Sequence, residues 1–151
     1  LSKWILNIGS NFWFESLILM FQKEVADRII SQFNNSKYGR LSILSSWKLN
    51  VKKIIDINPH SFSPRPKIDS SLLLFTPKEN FFKLKDPKNL EKITRIFFSQ
   101  RRKMLKKPFN QVFANGKQVA EKFGIDLNLR PQNLEPEIYF KLVKEYENLR
   151  G

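Results

Sequence analysis

Cysteine is absent from the 151 residues, and histidine occurs once, at His60. The first absence excludes disulfides and thiolate metal sites. The second leaves nothing from which to build a His-based zinc site or a Ser-His-Asp triad. Glycine is scarce: Gly9, Gly39, Gly116, Gly124 and Gly151 are five in all, no two close enough for a glycine-rich cofactor or phosphate turn. The apolar run Leu17–Phe21 is far shorter than a membrane span, so no membrane partner is expected. The opening Leu1-Ser2-Lys3-Trp4 does not form a signal peptide, which leads us to expect a cytoplasmic protein. A first residue of Leu instead of Met hints at a fragment, a split gene or an unusual start.

Acid is also in short supply. Twenty-seven Lys and Arg face fourteen Asp and Glu, a formal charge of +13. A surface that basic attracts polyanions, either nucleic acid or an anionic membrane. Hydrophobic residues make up 41% and include fourteen Phe and three Trp, so a packed core is within reach. Charged and apolar residues are interleaved along most of the chain, which argues against global disorder.

Trp4, Ile5 and Ile8 recur at helical spacing up to Gly9, as at the end of an element. Leu17–Gln22 has the length and continuity of a strand covered on both faces. Val25, Ile29 and Phe33 predict a helix over about 24–33, and Leu41, Leu44 and Leu49 another short one. Val51–Ile57 and Ser70–Thr76 read as strands. Between them lies a stiff loop, Asn58 to Pro66, in which three prolines fix φ and remove backbone donors. Beyond Pro77 no convincing strand remains. Helices are expected near Asn89–Lys107, Lys117–Phe123 and Pro136–Leu149, with Ile138, Leu142, Tyr146 and Leu149 as the buried stripe of the last. Gly124 suits the position just past a helix and Pro136 the first position within one. The expected class is α/β plus α: residues 1–77 as the later part of an open sheet, residues 78–151 as a small all-helical domain.

Two segments carry candidate chemistry. Between Glu91 and Glu121 there is no acidic residue, while Lys92, Arg95, Arg101, Arg102, Lys103, Lys106, Lys107 and Lys117 fall in that interval. On a helical projection Ile93, Ile96, Phe97 and Met104 share one face, and Arg95, Arg102 and Lys106 lie opposite. An apolar inner face with a basic outer face suits a helix laid on a phosphate backbone. A merely solvated helix face is the alternative, although such faces usually carry both signs of charge. In the stiff loop, Phe62 stands among Pro64, Pro66 and Lys67. A rigid loop can hold an aromatic ring where a flipped-out base would stack on it. Taken by itself, the residue pattern favours simple packing of Phe62 under the loop.

Four segments in order are similar to the small-subunit rRNA adenine dimethyltransferase family. They are Met20-Phe21-Gln22-Lys23-Glu24-Val25-Ala26-Asp27-Arg28, Tyr38-Gly39-Arg40-Leu41-Ser42, Phe62-Ser63-Pro64-Arg65-Pro66-Lys67-Ile68-Asp69-Ser70 and Phe98-Ser99-Gln100-Arg101-Arg102-Lys103-Met104-Leu105. Gly124-Ile125-Asp126 and Arg130-Pro131-Gln132-Asn133-Leu134 also look like that family. The resemblance covers nearly the whole chain from about residue 17.

The resemblance implies a Rossmann-like methyltransferase with a small helical C-terminal domain. Such an enzyme moves methyl groups from S-adenosylmethionine to the exocyclic amines of two adjacent adenines near the end of small-subunit rRNA, during ribosome biogenesis. It implies that Phe62 holds the flipped adenine, supported by Pro64, Pro66 and Lys67. It also places Arg95, Arg101, Arg102, Lys103, Lys106 and Lys107 in the part that grips rRNA, and leaves Tyr38, Gly39 and Arg40 as structural. The family's cofactor turn, its acidic ribose ligand and its Asn-Leu-Pro-Tyr turn have no counterpart in the sequence; Leu6-Asn7-Ile8-Gly9 and Asn58-Pro59-His60-Ser61 are imitations that lack the required residues. We therefore expect no catalytic residue, no bound S-adenosylmethionine and no metal in this chain, and a monomer. Rival readings are an RNA-binding module or split-gene relic without catalysis, and a related large-subunit rRNA methyltransferase.

Overall fold

A computed structural model describes residues 1–8, 12–61, 63–64 and 69–150. Three strands form one antiparallel sheet: β1 (Leu17–Gln22), β2 (Leu49–Ile57) and β3 (Ser70–Pro77), with β3 in the centre. Leu19 pairs with Leu73 on one side of β3 and Ile57 with Ser70 on the other, with a bulge in β2 between Lys53 and Ile55. Helices α1 (Ser2–Asn7) and α2 (Lys23–Ile30) cover one face of the sheet. Ile5, Ala26, Ile29, Leu49, Leu73 and Phe75 fill the space between them. The opposite face carries Met20, Leu72 and Ile55 in one cross-strand row, and Met20 and Ile55 are each 54% exposed.

Helix α3 (Arg40–Lys48) joins this layer to a second core. Tyr38, Leu44 and Trp47 pack there with residues of α4 (Pro87–Phe98), α5 (Lys106–Val112), α6 (Gly116–Lys122) and α7 (Pro136–Leu149). The larger core thus draws side chains from both sides of residue 77. Aromatic pairs knit it: Phe97 meets Phe109 at 5.3 Å and Tyr139 at 5.5 Å between ring centres, both edge-to-face.

Local chemistry explains the helix ends. Asp86 caps α4 by accepting the Lys88 amide at 3.0 Å, and Pro87 takes the first helical position, where its missing N–H costs nothing. The Glu147 carboxylate of α7 reinforces that end by accepting from the Lys85 and Asp86 amides and from Asn89. These three donors are why Glu147 can be buried. Past α6, Gly124 adopts φ +65°, and the Ile125 amide reaches back to the Ala120 carbonyl at 2.9 Å. That left-handed cap is what the sequence predicts for Gly124.

Several expectations need correction: β1 is not covered on both faces, since Ile18 and Met20 are exposed, Phe33 lies past the end of α2, and Leu49 opens β2 instead of belonging to α3. The helix expected over 89–107 is broken: α4 stops at Phe98, and α5 starts at Lys106. Gln100 to Lys103 are four polar residues in a row that offer nothing apolar to a core, so tertiary contacts decide the path. The Leu105 amide donates to the Leu129 carbonyl at 2.8 Å, not to the residue four back, and Leu105 is buried. Met104 does not share the buried face of α4; it is 54% exposed. In α7 the buried stripe is Tyr139, Phe140, Leu142, Val143 and Tyr146, leaving Leu149 exposed. The stripe is rotated because Tyr139 is drawn in to donate its hydroxyl to the Pro131 carbonyl at 2.6 Å.

Candidate RNA-binding surface

The break between α4 and α5 separates the cations that a continuous helix would have aligned. Arg101 turns back under the fold. Its guanidinium donates to the Tyr38 carbonyl at 2.8 Å and approaches Gln132 Oε1 at 3.4 Å. Tyr38 is itself buried, and its hydroxyl donates to the Leu134 carbonyl at 2.7 Å. The Asn34 amide donates to the Gln132 carbonyl, and Asn133 donates to the Asn34 side chain. These bonds clamp the Arg130–Leu134 stretch against residues 34–38, which gives the Tyr38-Gly39-Arg40 and Arg-Pro-Gln-Asn-Leu segments a structural job. Burial pushes the Tyr38 hydroxyl well above the usual tyrosine range, with the nearby Glu135 charge adding to the effect. Tyr139 is raised in the same way.

Two basic surfaces flank this clamp. The first is a groove of about 420 Å³ that brings Arg101 together with Arg28, Lys37, Arg40 and the Phe98 ring. Its cations are partly neutralised: Arg28 pairs with Glu24 at 3.0 Å, Lys37 with Asp27 at 3.1 Å, and Arg40 with Glu91 at 3.9 Å. Arg28, Lys37 and Arg40 were not among the sequence candidates. In sequence Arg28 reads as one half of an exposed i,i+4 pair, and only the fold brings α2 and α3 beside the end of α4. The second surface is an open shelf formed by Gln100, Lys103, Met104, Lys106, Lys107 and Asn110. Arg102 is exposed on the same turn, and Arg95 is exposed on α4. Among the described residues, none of Arg95, Arg102, Lys103, Lys106 and Lys107 has a carboxylate partner within 4 Å. An unpaired cation keeps its full charge for a ligand, whereas an exposed paired one must first give up a weak interaction.

The stiff loop joins β2 to β3. Phe62, Pro66 and Lys67 lie outside the described residues; Pro64 is described and exposed. The strands bracketing the loop are tied at its base, where Asp56 Oδ1 accepts the buried Ser71 hydroxyl at 2.5 Å. Lys53 donates to the other carboxylate oxygen at 3.1 Å. The Ser71 hydrogen bond, then Lys53, holds the Asp56 carboxyl below its ordinary range.

S-Adenosylmethionine needs backbone close to it, and the described glycines do not provide that approach. A Cβ at Gly39 would touch only the Phe98 ring, at 3.9 Å, and one at Gly124 would meet nothing within 4 Å. At Gly116 it would strike the Phe109 backbone at 2.9 Å, so that glycine serves helix packing between α5 and α6. The described residues therefore show no glycine-lined backbone cradle. No group of three or more metal-ligating side chains occurs among them, and no described helix is long and apolar enough to cross a membrane.

Residues 1–148 match the family model for ribosomal RNA adenine dimethylase. The chain belongs to that family. It is 92% identical over all 151 residues to the ribosomal RNA small subunit methyltransferase A of Pelagibacter ubique, and covers 58% of that relative. It is 46% identical over 136 residues to the protein of the same name from Ehrlichia ruminantium, covering 89% of this chain and 50% of the relative. Among solved structures, a dimethyladenosine transferase from Plasmodium falciparum superposes with a TM-score of 0.71 at 28% identity, covering 89% of this chain and 58% of that one. The 23S rRNA methyltransferase ErmE superposes at 0.62 with 14% identity, which shows a shared fold and nothing more. The chain thus spans between half and three fifths of the length of these relatives.

Proposed function

We propose that this chain is the RNA-facing part of a small-subunit rRNA adenine dimethyltransferase. The whole enzyme would use S-adenosylmethionine to dimethylate two adjacent adenines near the end of small-subunit rRNA during ribosome biogenesis. The observation that carries the reading is the family match over residues 1–148, in a chain whose acid-free stretch from Lys92 to Ala120 includes a turn of exposed cations without carboxylate partners among the described residues. In this reading residues 1–77 supply the last strands of a Rossmann-like sheet, and residues 78–151 a helical rRNA-binding domain. Arg95, Arg102, Lys103, Lys106 and Lys107 meet phosphates. Arg101 holds the turn in position from beneath, with donors left over for the groove.

Phe62 takes the flipped adenine as a stacking surface, with Pro64, Pro66 and Lys67 limiting the loop. The tie between Asp56 and Ser71 keeps the strands on either side in register. Cofactor binding and the polar turn that orients the target amine belong to the part of the relatives' length that this chain does not span. The 151 residues alone then bind RNA without transferring a methyl group. As a partner of immature small subunits, the enzyme works as a monomer in the cytoplasm.

The test is a chimera in which these 151 residues replace their match in the Pelagibacter ubique relative. Dimethylation of the paired adenines in immature small subunits is the expected result. A chimera that folds and binds S-adenosylmethionine but leaves those adenines unmodified would overturn the proposal.

A further inference from the structure

We infer that a cleft at the last turn of α7 docks an acidic segment of a partner protein, with a carboxylate beside Tyr146 and an apolar side chain beside Leu149. The inference stands apart from the rRNA reading and uses none of the cations assigned to RNA above. Tyr146 organises the polar end. It is buried, yet two cations rest on its ring: the Arg150 guanidinium lies 4.8 Å from the ring centre and the Lys92 ammonium 5.3 Å. Lys92 also donates to the Tyr146 hydroxyl at 2.9 Å. An ammonium can only donate, so the hydroxyl keeps its own proton to give. No acceptor for that proton occurs among the described residues. Neither Lys92 nor Arg150 has a carboxylate within 4 Å among them.

Lys92, Tyr146 and Arg150 line a recess of about 70 Å³ together with the exposed Gln111, whose amide adds a further donor. Two like charges on one ring repel each other, and an anion seated between them turns that repulsion into attraction. Val112, Tyr146 and Arg150 also line a wider cleft of about 370 Å³, walled by Phe113, Ala114, Asn115 and Leu149. Leu149 is 56% exposed there. The two spaces share three residues, so donors without acceptors stand next to an uncovered apolar side chain. RNA phosphates would meet the cations, but bases stack on open aromatic faces, and Phe113 and Tyr146 are buried. A free inorganic anion would leave Leu149 bare. A peptide with Asp or Glu next to Leu or Phe suits both ends, by complementary charge at one and apolar burial at the other.

The test uses the whole 151-residue chain and fluorescence anisotropy with a labelled, end-blocked peptide, Gly-Ser-Asp-Leu-Phe-Asp-Ser-Gly. Saturable binding below about 1 mM is expected. Arg150→Gln should weaken it about tenfold through the lost charged contact, and Leu149→Ser about five- to tenfold through the lost apolar one. Both side chains are exposed, so the melting temperature should hold. Lys141→Gln removes one exposed charge elsewhere on α7 and should bind the peptide like wild type. A peptide that does not bind would overturn the inference. Equal weakening by Lys141→Gln and Arg150→Gln would reduce the effect to the chain's overall charge and overturn it too. A peptide indifferent to Leu149→Ser but displaced by a short RNA strand would hand the cleft to nucleic acid. The rRNA reading stands or falls on other residues in every case.

Discussion

Neighbouring arginines in one turn should fail in different ways when removed. Arg101 makes a charge-assisted bond to the Tyr38 carbonyl at 2.8 Å and a long contact to Gln132 at 3.4 Å. Only the first is short enough to count fully. A hydrogen bond from a charged group contributes about 1.5–3 kcal/mol net. In a domain of this size, Arg101→Ala should therefore lower the melting temperature by about 3–12 °C. Arg102 is exposed and touches no carboxylate among the described residues, so Arg102→Ala should stay within about 0.5 kcal/mol of wild type. Its effect should appear in RNA binding. Losing one phosphate contact flattens the plot of log affinity against log salt by about 0.7–0.9. Calorimetric melting and an RNA titration at several salt concentrations read the two effects separately. An Arg101→Ala protein as stable as wild type would refute the clamp, and an unchanged slope for Arg102→Ala would remove that side chain from the interface.

Phe62→Ala in the Pelagibacter chimera should slow adenine methylation by about 5- to 160-fold, the worth of one stacked base, and leave rRNA affinity nearly intact; wild-type turnover would return Phe62 to a packing role. Stability should fall as pH rises above the ordinary tyrosine value of 10.0. Burial raises Tyr38 and Tyr139, so they stay protonated in the folded chain while their unfolded counterparts ionise, and the stability they lend is complete below that pH and lost above it. Lys48 and Lys78, lowered by burial, act the other way on the approach to 10.5, so the useful reading is wild type against Tyr38→Phe in urea titrations across this range. A Tyr38→Phe chain with the same alkaline fall as wild type would contradict this account. Calorimetry with S-adenosylmethionine on the chain should show no saturable heat, and micromolar binding would reveal a site that the described glycines do not explain.

The strands, most helices and both cap glycine and proline were legible because each rests on local chemistry. Gly124 needs only its own φ, and Pro136 only its own missing N–H. The Phe98–Lys106 break was not legible, because its cause lies elsewhere in the chain: the carbonyls of Tyr38 and Leu129, 63 residues back and 24 ahead of their donors. A helical projection carried through residues 93 to 106 had no means of knowing this, so it set Met104 among the inward apolar groups, and Arg101 was grouped with the rRNA-gripping cations. The same long-range packing makes Arg28, Lys37 and Arg40 members of one groove. What sequence did reveal about the site was its charge, since an acid-free stretch of cations is visible whatever its path.

The salt dependence of RNA binding tests the central claim most directly. With about five phosphates neutralised by Arg95, Arg102, Lys103, Lys106 and Lys107, log affinity against log salt for small-subunit rRNA should slope near −3.5 to −4.5. Replacing those five residues by alanine should bring the slope close to zero without lowering the melting temperature. A slope that survives the five replacements would place the RNA on another surface of this chain, and a wild-type slope near zero would mean that this family member does not hold RNA through this part at all.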